Sequence, residues 1–249
     1  MSATTSQIPT DAGDLPGLLW LPENLEQPVP GLVVLQEIFG LSASMQERCA
    51  NLAALGYAVL APQLFARLDP PVVGLEDGGD GEAWLAEGMA LTDRLPWERA
   101  EADALASLNA LRAHGAVDSE RVGVLGFCYG GGLAFAATAA ATLEDRAPSV
   151  LVSYYGSALP TLLDQAAHVT APSLHHFGTA DAFIPLETVQ QIREAVTADG
   201  TRDQVRFELH EGAGHAFDNP HPVLHHGPAA EAAWQQTISF LTETLPTRS

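Results

Sequence analysis

The stretch that most limits what this chain can fold into is Val122-Gly123-Val124-Leu125-Gly126-Phe127-Cys128-Tyr129-Gly130-Gly131-Gly132, which runs directly into Leu133-Ala134-Phe135-Ala136-Ala137. A short β-branched and apolar run that meets Gly-x-Cys-x-Gly and continues as an alanine-rich segment predicts a strand, a very tight turn and a helix. Glycines two before and two after the tip let strand and helix close on each other, while the tip residue sits in strained backbone. Cys128 is thereby expected at the carboxyl end of a sheet, above the N-terminus of its own helix. Free backbone N–H groups and the positive end of the helix dipole favour a thiolate there, and later an oxyanion. The same residues also suit a plain strand-to-helix turn with Cys128 as a small buried hydrophobe, so the rest of the chain has to decide.

With 249 residues, 47% of them hydrophobic, the chain can bury one substantial core as a single domain over 1–249. Residues 1–16 are polar and turn-rich, and Leu18 to Leu21 reads as an antiparallel edge strand. Pro30 to Leu35 has no polar alternation until Glu37, as expected of a strand covered on both faces. A helix over 43–55 closed by Gly56, a strand from Tyr57 to Ala61 and a helix from Trp97 to His114 lead to the elbow strand from Val122 to Phe127. Strands follow at Val150–Tyr155, Ser173–Phe177 and Gln204–Leu209, with helices at Leu186–Ala198 and Ala229–Leu245. Such alternation predicts an α/β fold, a mainly parallel central sheet with helices on both faces. Residues 66–95 break the rhythm with Asp69-Pro70-Pro71 and the loop-like 76–81, followed by a short helix from Glu82 to Leu91. An excursion of this length is either an active-site cover or an acidic surface insertion.

A thiolate nucleophile needs a base, a carboxylate to orient the base, and donors for the oxyanion, all at neighbouring strand ends. Asp181 lies in Gly178-Thr179-Ala180-Asp181 after the strand that ends at Phe177. His215 lies on the glycine-freed loop Glu211-Gly212-Ala213-Gly214-His215-Ala216-Phe217. Singly, Asp181 suits a helix cap or an Asx turn, and His215 suits an ordinary loop. Together the three stand in the order nucleophile, acid, histidine, which is the α/β-hydrolase order.

The motifs Leu35-Gln36-Glu37-Ile38-Phe39-Gly40, Gly126-Phe127-Cys128-Tyr129-Gly130-Gly131, Gly178-Thr179-Ala180-Asp181 and Gly214-His215-Ala216-Phe217 make the chain resemble the dienelactone hydrolase family, from about Gly17 to Leu245. The resemblance implies an α/β-hydrolase fold and a catalytic triad of Cys128, His215 and Asp181. It also implies an oxyanion hole from the backbone N–H groups of Ile38 and Tyr129. The glutamate matching Glu37 is expected to contact the resting thiol and to take its proton when substrate binds. Physically, a carboxylate at a buried strand end is costly unless paired or protonated, so its presence argues for a role, with structural support of the loop as the alternative. Members that take a carboxylate-bearing lactone are expected to hold it with two arginines. The corresponding candidates here are Arg94, in uncertain register, and Asn219, an uncharged residue four positions after His215. Phe39 is a further candidate substrate contact.

The activity implied is hydrolysis of small lactones or esters through an acyl-thioester. The alternative is a general carboxylesterase or thioesterase for neutral substrates. A catalytically silent binding protein should have lost Cys128, Asp181 or His215, and none is lost. Eleven basic residues, all arginine, against 31 acidic ones leave a formal charge of −20, which disfavours nucleic acid and anionic membrane as partners. The expected partner is a small-molecule ester or lactone, with the protein as a monomer or small homo-oligomer and no cofactor. His175 and His176 are adjacent on one strand and point to opposite faces, and Pro220 and Pro222 interrupt His221, His225 and His226, so no metal site is expected. Two cysteines, of which Cys49 reads as core filling, fit a reducing compartment. With no apolar run long enough to span a bilayer and no leader-like N-terminus, the sequence suggests a cytoplasmic protein.

Overall fold

The computed structural model describes residues 2–23, 25–76 and 80–247. Its strands are β1 (Thr4–Ile8), β2 (Leu15–Trp20), β3 (Val29–Leu35), β4 (Ala58–Pro62), β5 (Val117–Phe127), β6 (Leu151–Tyr154), β7 (Ser173–Gly178) and β8 (Val205–His210). They form an 8-stranded sheet in the order β1-β2-β4-β3-β5-β6-β7-β8. From β4 to β8 every neighbouring pair is parallel, and β2 runs antiparallel to both its neighbours, β1 and β4. The helices are α1 (Ala43–Ala54), α2 (Gly81–Arg94), α3 (Trp97–Arg112), α4 (Tyr129–Leu143), α5 (Leu186–Thr197) and α6 (Gly227–Thr244).

Strand alternation divides the interior into two cores. In β3, Val33 and Leu35 face a core shared with Ala104 and Leu108 of α3, Leu133 and Phe135 of α4, and Ile192 of α5. Leu32 and Val34 face the opposite core, with Cys49 and Leu52 of α1 and Phe240 of α6. Helices on both faces explain why β3 and β4 carry no polar side chain.

Three expectations are corrected. The edge strand is β1, inside the segment read as polar and turn-rich, and β2 lies between β1 and β4. β1 has the sequence Thr-Thr-Ser-Gln-Ile and buries only Ile8 completely, so its pairing with β2 leaves no apolar run to detect. β5 begins earlier than expected, at Val117, which pairs with Val29 across a register shift. The helix expected over Glu82–Leu91 spans Gly81–Arg94, capped by Asp80 Oδ1, which accepts from Glu82 N at 3.1 Å and Ala83 N at 3.3 Å. The Asp77-Gly78-Gly79 part of the expected loop lies outside the described residues. Among those described, no helix is long and apolar enough to cross a membrane.

Candidate active site

β5 delivers Cys128 into a turn whose tightness the flanking glycines alone permit. A Cβ on Gly126 would lie 2.0 Å from the Gly130 carbonyl oxygen, and one on Gly130 would lie 2.3 Å from that of Leu35. Cys128 itself has φ 52°, a left-handed value that costs a non-glycine residue about 1–3 kcal/mol. Backbone hydrogen bonds hold it there: Cys128 N donates to Tyr154 O at 3.0 Å, and Cys128 O accepts from Ser157 N at 3.1 Å. Tyr155 (φ 36°) and Ala216 (φ 55°) share the left-handed region at neighbouring loops. Asp145, Ala198 and Asp199 share it as well, at the ends of α4 and α5 away from the site.

The loops after β7 and β8 bring in the partners. His215 Nε2 lies 3.1 Å from Cys128 Sγ, and its Nδ1 lies 2.7 Å from Asp181 Oδ2. The other oxygen, Asp181 Oδ1, accepts from Phe183 N at 2.8 Å and Ile184 N at 2.9 Å. Asp181 therefore makes an Asx turn and hydrogen-bonds the imidazole at once. Burial opposes a charge on His215, yet the Cys128 sulfur and the Asp181 carboxylate outweigh it and raise the imidazole to about 10. A protonated imidazole beside sulfur stabilises a thiolate.

Glu37, at the end of β3, is 2% exposed. Its Oε1 accepts from the Tyr155 hydroxyl at 3.3 Å and its Oε2 from Asn219 Nδ2 at 2.7 Å. Burial pushes the carboxyl up to about 7, against the pull of the Asn219 hydrogen bond and with the nearby Asp218 adding to the rise. The expected contact between this glutamate and the resting thiol is corrected: sulfur lies on His215, because both Glu37 oxygens are turned to Tyr155 and Asn219. Tyr155 escaped the sequence reading, where it marked only a strand end. Its ring also stands edge-on to His215, with centroids 5.3 Å apart.

A cavity of 180 Å³ opens over Cys128 and His215. Ile38 and Tyr129 both line it, and Tyr129 is the first residue of α4, where a backbone N–H has no partner within the helix. Phe39, Phe183, Ala216 and Leu224 add apolar wall, and α2 contributes Leu85, Met89 and Thr92. The helix is fastened by Trp84, whose ring stacks on Phe39 at 3.5 Å and on His221 at 4.5 Å. A Cβ on Gly88 would lie 3.0 Å from both Ile38 and Phe39, so glycine lets α2 lie close against the loop that carries Ile38.

Two substrate-binding candidates are placed elsewhere. Arg94 does not line the cavity; its guanidinium donates to the Asp69 carbonyl at 2.7 Å at the exposed end of α2. Asn219 is buried and spent on Glu37 and on the His221 N–H, at 2.7 and 2.9 Å. Glu37 borders both this cavity and a second one of 160 Å³, lined by Arg48, Asp218, Asn219 and His225. Among the described residues, no group of three or more His, Cys, Asp or Glu side chains could hold a metal ion. Arranged this way, the site has the groups for nucleophilic acyl transfer: a sulfur paired with a base, an oriented acid, and backbone donors beside them.

Residues 15–245 match the sequence profile of the Dienelactone hydrolase family. A carboxymethylenebutenolidase from Pseudomonas putida is 33% identical over 214 residues, covering 86% of each chain. A putative carboxymethylenebutenolidase from Escherichia coli is 26% identical, covering 96% of this chain and 86% of its own. Among solved structures, a putative dienelactone hydrolase from Klebsiella pneumoniae superposes with a TM-score of 0.78 at 27% identity, covering 97% of this chain and 98% of that one.

Proposed function

The chain belongs to the dienelactone hydrolase family, and from that premise we propose that it hydrolyses small, uncharged carboxylic esters or lactones through Cys128, His215 and Asp181. The observation that carries the reading is His215 bridging Cys128 Sγ at 3.1 Å and Asp181 Oδ2 at 2.7 Å on the floor of an apolar cavity. The Cys128 thiolate attacks the carbonyl carbon, and the carbonyl oxygen takes the negative charge against the N–H groups of Ile38 and Tyr129. Collapse expels the alcohol oxygen, which takes the proton from His215 Nε2 and leaves an acyl-thioester. In a lactone that oxygen stays tethered to the acyl group. His215 then removes a proton from water, hydroxide adds to the thioester, and the acid departs as the thiolate returns. Glu37 borders the same cavity, and a carboxyl that titrates near neutrality sets the charge beside the sulfur during acylation.

The preference for uncharged substrates is supported by the cavity wall. No arginine lines it among the described residues, and the chain has no lysine. A substrate carboxylate would meet Glu37 with no arginine or lysine to hold it, the His215 imidazole being already engaged by Cys128 and Asp181; one missing charged contact costs about 1.5–3 kcal/mol, or roughly ten- to hundredfold. The two unpaired cysteines fit a reducing, cytoplasmic setting. The test is a panel of small esters and lactones, each neutral compound paired with a carboxylate-bearing analogue of equal size. We expect higher kcat/KM for the neutral member of each pair, and loss of turnover by about 10⁴-fold or more in folded Cys128→Ala. A preference for the anionic members would overturn the substrate reading, and an active Cys128→Ala protein would overturn the triad.

A further inference from the structure

We propose that the cavity assigns the two arms of an ester to different walls, Phe183 contacting the alcohol arm and Met89 the acyl arm. This rests on the hydrolase reading above. Exposed apolar side chains are ordinary when scattered, but these two belong to one cavity. Phe183 is 59% exposed and Met89 48%, and both line the cavity over Cys128.

The chemistry of the leaving group fixes which arm meets which wall. The expelled oxygen takes its proton from His215 Nε2, so at collapse it lies beside that ring. Whatever is bonded to this oxygen extends from His215 toward the mouth, where the Phe183 ring stands with its centroid 5.1 Å from that of His215. The backbone also anchors Phe183 at this place. Its N–H donates to Asp181 Oδ1 at 2.8 Å, so the acid that orients the base also sets the position of the ring. The carbonyl oxygen points to Ile38 and Tyr129. The remaining direction belongs to the acyl chain; of the apolar wall apart from Phe183, we assign it the stretch that α2 builds with Leu85, Met89 and Thr92, beside Phe39 and Leu224. An aryl or branched alkyl alcohol would cover the exposed face of Phe183, where an aromatic pair is worth about threefold to tenfold in affinity.

The test uses methyl acetate, phenyl acetate and methyl butyrate with the full-length enzyme. Intrinsic reactivity cancels when the same kcat/KM ratio is compared between wild type and variant. In Phe183→Ala the phenyl-to-methyl acetate ratio should fall about fivefold, while the butyrate-to-acetate ratio stays within about twofold. In Met89→Ala the butyrate-to-acetate ratio should change and the phenyl-to-methyl ratio should hold. Phe183→Leu, which keeps an apolar wall and the backbone anchor, should retain an intermediate phenyl-to-methyl ratio. The crossed pattern, or ratios that neither variant moves, would overturn the assignment while leaving the hydrolase reading intact. A wild-type protein that turns over none of the three esters would overturn that reading instead.

Discussion

His215 and His176 are both largely withdrawn from water, yet their ionisations are driven in opposite directions. His176 is fully buried and pushed well below its ordinary value by burial, with His210 and His175 adding to the fall. Its hydrogen-bond partners are uncharged: Nε2 lies 3.1 Å from Thr237 Oγ1 and Nδ1 lies 3.1 Å from His210 Nε2. Thr237 Oγ1 continues the chain to the Tyr154 hydroxyl at 2.7 Å, tying α6 to the sheet. Burial also pushes against a charge on His215, but a carboxylate and a sulfur as neighbours raise it to about 10. Desolvation sets a cost common to both sites, and the charge of the partner decides the sign. One histidine is made a structural hydrogen-bonding hub, and in the other the protonated form is favoured beside sulfur.

The comparison is broken most severely at Asp181. Asp181→Asn keeps the Asx geometry but removes the charge, so His215 loses one of the two partners that distinguish it from His176 and keeps only the sulfur. Turnover is expected to fall about 10³- to 10⁴-fold, and the His215 imidazole, followed by NMR, should titrate well below 10. An unchanged titration would show that sulfur alone sustains the shift.

Glu37 tests whether a buried carboxyl obeys the same rule. Its value is raised from 4.5 to about 7, so the folded protein holds a proton that the unfolded chain has released between those limits. Stability contributed by this group is therefore full below 4.5 and is lost as pH rises to about 7. In Glu37→Gln that loss should disappear from a Tm-against-pH profile, while single-turnover acylation falls roughly tenfold. A collapse in Tm with unchanged acylation would make Glu37 purely structural.

The smallest effect belongs to the His176 network. Thr237→Val leaves His176 Nε2 and the Tyr154 hydroxyl short of a partner, at a cost of about 1–3 kcal/mol in denaturant unfolding with little change in kcat/KM. For wild type, His175, lowered from 6.5 to about 4, and His176 take up protons only on unfolding. Stability is therefore full above 6.5 and declines as pH falls toward 4. A flat acid limb would contradict the buried neutral histidines.

The elbow, the α/β alternation and the order of Cys128, Asp181 and His215 were legible because each depends on short-range rules. Glycine is demanded where a Cβ would strike backbone, as at Gly126 and Gly130, and strands flanked by helices on both faces read as unbroken apolar runs. β1 was hidden because an edge strand with one buried apolar residue carries little periodicity. Tyr155 as a donor to Glu37, Asn219 as its second holder and Trp84 between Phe39 and His221 were equally hidden. Each joins residues far apart in the chain, 118 positions for Tyr155 and Glu37 and 182 for Asn219 and Glu37, and no local pattern encodes which distant side chains meet. By itself the sequence determined the elbow, the sheet that carries it, and the strand ends on which Cys128, Asp181 and His215 stand, since backbone sterics and hydrophobic period act within a few residues. Only the tertiary structure decided that sulfur rests on histidine rather than glutamate, that Arg94 stays off the cavity wall, and that Met89 and Phe183 line it. Those outcomes depend on which charges and rings are packed together after the chain has closed, and burial gives a side chain its partner only then.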